Sequence, residues 1–77
     1  MREDTVIKAH DGHHYRLRFR SRGVIHPEDT GLWYADRVTW NRKLGYWMHQ
    51  DDDVYILTDD GAVIAREIGW DLRREEI

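Results

Sequence analysis

The chain has no cysteine, so neither a disulfide nor a thiolate-bound metal braces it. That absence is compatible with a reducing compartment, and a cytoplasmic setting is the expectation. Apolar runs stop at three or four residues, as in Ala62-Val63-Ile64-Ala65, which is too short for a membrane span or a signal-peptide core. There is one serine, Ser21, set between arginines with no base fixed near it. Gly-x-Ser-x-Gly, a phosphate-cradling glycine loop and a dinucleotide fingerprint are all missing. A domain of this size also has little interior to spare for a typical pocket of about 300 Å³ or more. The expectation is a protein that is not an enzyme and carries no cofactor.

What is present is a folding composition. Of 77 residues, 40% are hydrophobic and 35% charged, which argues against disorder and for one globular domain spanning 1–77. The net charge of −3 is unevenly spread. Residues 1–26 carry six Lys/Arg against three Asp/Glu, residues 27–50 balance at three against three, and residues 51–77 carry nine Asp/Glu against three Arg. Basic and acidic segments pairing across strands would account for this, and so would a charged docking face.

Aromatics are the densest signal. Trp33, Trp40 and Trp47 recur every seven residues, and with Tyr34, Tyr46 and Tyr55 they place six of nine aromatics between 33 and 55. Rings at this density are either buried or used in contacts.

Periodicity points to strands. His13, Tyr15, Leu17 and Phe19 alternate with His14, Arg16, Arg18 and Arg20, the pattern of a half-buried strand. Thr5–Ala9 is its partner. A three-residue loop His10-Asp11-Gly12, with Gly12 at positive φ, sets Ala9 by His13, Ile7 by Tyr15 and Thr5 by Leu17, keeping the apolar set together. Val54–Thr58 and Ala62–Ile68 flank Asp59-Asp60-Gly61 as a second hairpin, with a helical turn expected from Asp71. In the middle, strand 32–40, a turn at Asn41–Gly45 and strand 46–50 are preferred over a helix starting at Pro27-Glu28-Asp29. The fold class is therefore all-β: a small, strongly bent antiparallel sheet or barrel of about six short strands built from hairpins. The alternative is α+β with one helix in 28–44.

With Trp40 aligned to Tyr46, one face of the central hairpin holds Tyr34, Val38, Trp40, Tyr46 and Met48 as core. The other presents Trp33, Arg37, Trp47 and His49 outward. Trp and Arg are enriched at binding hot spots. Together with Asp51, Asp52 and Asp53 as an acidic end, this face predicts a non-catalytic protein-binding module, an inhibitor or regulator docking on a larger assembly. A loop such as 21–31 covering both tryptophans is the competing structural explanation. The alternative function is nucleic-acid binding through Arg16, Arg18 and Arg20, helped by Arg42 and Lys43 beside the rings; the acidic last third opposes it. His10, His13 and His14 are the candidate metal ligands. Adjacent strand residues point apart, however, and no fourth ligand is placed, so no metal is expected. Nor does Asp51-Asp52-Asp53 open a calcium loop, since Ile56 and Ala62 stand where such a loop needs glycine and glutamate. An open hairpin edge leaves homodimerisation available.

Overall fold

The computed structural model describes residues 1–23, 27–69 and 73–77. Seven antiparallel strands form one bent, unclosed sheet: β1 Val6–Lys8, β2 His14–Arg20, β3 Trp33–Asn41, β4 Tyr46–His49, β5 Val54–Leu57, β6 Val63–Ile68 and β7 Arg73–Glu76. The fold is all-β, as the alternating pattern predicts, and no helix forms in 28–44 beyond a single 3-10 turn at Pro27–Asp29. A strand, β7, lies at Arg73–Glu76; Asp71 itself, where a helical turn was expected, is outside the described residues.

The first hairpin adopts the expected register. Ile7 pairs with Tyr15, the Ala9 N–H donates to the His13 carbonyl, and Gly12 has φ +87°. Asp11 fixes the loop by accepting the His13 N–H at 2.9 Å. Glycine at that left-handed position avoids the Cβ clash any other residue would meet.

One residue breaks the alternation that the sequence suggests for β2. Leu17 pairs with Ala35 but Phe19 pairs with Tyr34, so Arg18 is an extra residue, a β-bulge. Tyr15 and Leu17 face inward. Phe19, expected beside them, is turned to the outer side, and Arg20 is turned to the inner side opposite Trp33.

β3 is the hub. One of its edges pairs with β2 over residues 33–38, while β4 takes residues 38–41 of the other edge and β5 takes residues 33–35. β4 and β5 thus run one after the other along the same edge, separated by Gln50–Asp53. The far part of the β3–β4 hairpin extends past the region flanked by β5, and most of its side chains are exposed.

The inner face carries the core: Ala9, Tyr15, Leu17, Trp33, Ala35, Tyr55 and Leu57, with Ile7 and Val63 packed against them. The sheet curls until the tip of the first hairpin meets the β5–β6 turn, where the His10 N–H donates to the Gly61 carbonyl at 3.0 Å. Burying these rings and branched chains supplies the main driving force. On the outer side Val38, Ile56 and Ala65 are also buried.

Candidate functional site

The turn between β3 and β4 decides which aromatics are presented. Asn41 pairs with Tyr46 around a four-residue loop, Arg42 to Gly45. The Asn41 side chain accepts the Leu44 N–H at 2.8 Å, the Asn41 carbonyl accepts the Gly45 N–H at 2.8 Å, and Gly45 takes φ +75°. Trp40 consequently pairs with Trp47, not with Tyr46. A slip of one residue exchanges faces, so Trp47 and His49 lie with Tyr34, Val38 and Trp40, while Tyr46 and Met48 lie with Thr39 and Asn41.

The expected orientation is therefore overturned at both ends. Trp33, placed outward by the sequence pattern, is 5% exposed in the core, and its Nε1–H donates to Asp59 Oδ1 at 2.7 Å. Trp40, placed inward, is 48% exposed. Trp33 and Trp47 do not share a face. Arg37 does not join an outer patch either. It is held over the Tyr55 ring at 4.4 Å, donates to the Tyr15 hydroxyl from Nε (3.0 Å) and a terminal nitrogen (2.7 Å), and pairs with Asp11 at 3.4 Å. Its work is to close one end of the core.

That closing cluster shifts the groups in it. Burial raises the Tyr15 phenol, its hydrogen bond to Asp11 raises it further, and Arg37 only partly offsets them. Burial disfavours ionised Asp11, yet the bonds from Tyr15 and His13 and the charges of His13 and Arg37 outweigh it, so Asp11 titrates below its ordinary value. Tyr55 is raised by burial and by donating to Asp51 at 2.7 Å.

The acidic end is largely structural. Asp51 accepts the Tyr55 hydroxyl and the Asp53 N–H, and Asp53 accepts the Gly69 N–H at 2.8 Å and lies 3.5 Å from Arg66. Of the three, Asp52 alone is exposed and the other two are half-buried. The histidine candidates are not assembled: His10 lies at Gly61, His13 in the hairpin turn, and His14 on the outer face against Trp47. No cluster of three metal-ligating side chains forms among the described residues.

The outer face does gather aromatics, though mostly different ones. His14 packs on Trp47 at 4.9 Å, Trp47 meets Trp40 edge-on at 5.3 Å, and Phe19 meets Tyr34 edge-on at 5.1 Å. Phe19 is 45% exposed. Arg18 grips Asp36 with two 2.8 Å contacts, a fork that neutralises a carboxylate buried on this face, and His49 lies 3.7 Å from the same group. Arg16 pairs with Asp36 in the backbone register and Lys8 with His14, placing both on this side. Arg20 is diverted inward by the bulge and binds Asp59 at 2.6 Å. Arg42 and Lys43 stand exposed at the tip of the hairpin, next to Leu44 at 58% exposure.

Phe19, Tyr34 and Trp40 are the outer-face residues that periodicity misplaces, whereas it sets His14 outward with the arginines of β2. Asn41 and Gly45 were the readable signal, since an Asn that caps a loop closed by a left-handed glycine favours the four-residue turn. The bulge at Arg18 has no such sequence mark. No family model, curated protein or solved structure matches the chain.

Proposed function

We propose that the protein is a non-catalytic binding module that docks on a protein partner through the outer face of β2, β3 and β4. The observation that carries this reading is two sets of packed rings on the outer face, His14–Trp47–Trp40 and Phe19–Tyr34, in which Trp40 and Phe19 are exposed and the other three half-buried. Large exposed aromatic patches are rare on soluble monomers and mark contact surfaces. Here the rings hold each other in place, so little side-chain freedom is lost on docking. Arg16, Arg42 and Lys43 around them fit a partner surface with an acidic rim. Inhibition or regulation of a larger assembly is the corresponding role.

The test compares capture of a host protein by the wild type, by Trp40→Ser and by Phe19→Ser, with Met1→Ser as an exposed apolar control. Loss of the same partner by Trp40→Ser and Phe19→Ser, with folding and the control intact, is the expected result. Equal capture by all four overturns the assignment of the face.

A second reading, binding of single-stranded nucleic acid, is favoured by one observation. Four of the acids that would repel a polyanion are each paired with an arginine: Asp11 with Arg37, Asp36 with Arg18, Asp53 with Arg66 and Asp59 with Arg20. Lys8, Arg16, Arg42 and Lys43 form no ion pair among the described residues. Stacking on Trp40 would quench its fluorescence, with affinity falling steeply as salt rises. Absence of quenching by single-stranded RNA or DNA at low salt rejects this reading and leaves the first untouched.

A further inference from the structure

We infer that the outer edge of β4 pairs with the same edge of a second copy, antiparallel, extending the sheet into a two-fold dimer. Three strands have a whole edge open among the described residues, β1, β7 and β4, while β3 leaves only residues 39–41 unpaired on the side of β2. Each residue of β7, Arg73-Arg74-Glu75-Glu76, is charged, which protects that edge, and β1 is three residues long and ends in Lys8. β4, Tyr46-Trp47-Met48-His49, has no Lys, Arg, Asp or Glu. Tyr46 and Met48 are exposed at 50% and 38%.

The direction of the free backbone groups follows from one bond. The Gln50 N–H donates to the Arg37 carbonyl at 2.9 Å, so residues 46, 48 and 50 turn their backbone toward β3. Trp47 and His49 then direct N–H and C=O outward.

Charge chooses the occupant. The strand is preceded by Arg42 and Lys43 and followed by Asp51, Asp52 and Asp53. Antiparallel pairing with itself lays the basic turn of each copy beside the acidic turn of the other, twice per dimer. Parallel pairing would set like charges side by side. A two-fold axis normal to the sheet keeps both outer faces on one side. The register that uses every outward group then pairs Trp47 with His49 of the partner subunit, centred on Met48 against Met48 of the partner subunit. The basic turn at 42–45 then lies beside the acidic turn at 51–53 of the other copy, where Asp52 is exposed. The inference does not depend on the proposed docking role, although it would join two aromatic faces into one.

The experiment is sedimentation equilibrium on the full chain, with two charge-reversed variants. The wild type is expected to dimerise, more weakly as salt rises. Arg42→Glu/Lys43→Glu places acid against acid and Asp52→Lys places base against base, so each alone associates about tenfold more weakly or less still. Mixing the two variants restores attraction at both ends, and a heterodimer forms. Amide exchange at Trp47 and His49 slows with concentration, while Tyr46 and Met48, already bonded to β3, change little. A wild type that stays monomeric up to about 1 mM, the limit of a weak interface, overturns the inference. So does a dimer indifferent to both reversals and to their mixing, since that dimer uses another surface.

Discussion

Replacing Trp33 with alanine removes the largest side chain of the inner face. Trp33 is 5% exposed, packs in the cluster with Tyr15, Leu17, Tyr55 and Leu57, and donates its indole N–H to Asp59. Truncation of a buried tryptophan costs about 3–5 kcal/mol, from lost transfer and the cavity left behind. A core of this size supplies only about 3–5 kcal/mol in all, so Trp33→Ala should be largely unfolded at room temperature. Trp33→Phe grades the effect: it keeps most of the ring and loses the bond to Asp59. Because that carboxylate keeps Arg20 and is half open to water, the loss is about 1 kcal/mol, that of an ordinary hydrogen bond. For a domain this small that lowers Tm by about 4–8 °C. Trp40→Ala is the control: its edge-on contact with Trp47 is worth about 0.5–1.5 kcal/mol. Urea and thermal unfolding followed by far-UV circular dichroism give the order Trp33→Ala far below Trp33→Phe and Trp40→Ala. A Trp33→Ala protein as stable as the wild type, or a Trp40→Ala protein that unfolds as Trp33→Ala does, would refute the assignment of inner and outer faces.

Three further outcomes follow from the closing cluster and the turn. Arg37→Lys keeps the charge but not the planar fork shared by Tyr15, Asp11 and the Tyr55 ring, and should cost about 1–2 kcal/mol in urea unfolding. Because the Tyr15 phenol is raised in the fold, its stabilisation is complete below its ordinary pKa of 10.0 and is lost as pH climbs above it. For Asp11 the folded value is depressed, so its contribution is present above the ordinary 3.8 and is lost as pH falls below it. Stability against pH should thus be flat near neutrality with losses at both ends, and Tyr15→Phe should remove the contribution of Tyr15 to the alkaline loss. Gly45→Ala meets no atom within 4 Å but must hold φ +75°, so it should cost about 1 kcal/mol of stability, all of it backbone strain.

The first hairpin shows how far local pattern reaches. Asp11-Gly12 and the alternation from His13 to Leu17 fix a register in which Ile7 meets Tyr15, because any slip would put Lys8 on the apolar side. The β5–β6 hairpin is legible from its turn, where Gly61 takes φ +92°, but not in its register, which shifts between Ile56 and Leu57. Legibility fails where a strand carries apolar residues on both sides. β3 has Trp33 and Ala35 on one face and Tyr34, Val38 and Trp40 on the other, so alternation there names two faces and not which is inside. The turn, read as 41–45 but closed by the four residues 42–45, then sets every β4 side chain on the opposite face relative to β3, so that Trp47 and His49 lie with Trp40.

Sequence alone determined that this chain folds as a small antiparallel β sheet, because strand periodicity and turn chemistry are local. Only the tertiary structure decided which tryptophan is core and which is surface. That choice depends on Arg18 being an extra residue in β2, on the length of one turn, and on the curl that brings His10 to Gly61. Each of these acts through partners far along the chain, where no short stretch of residues records the outcome.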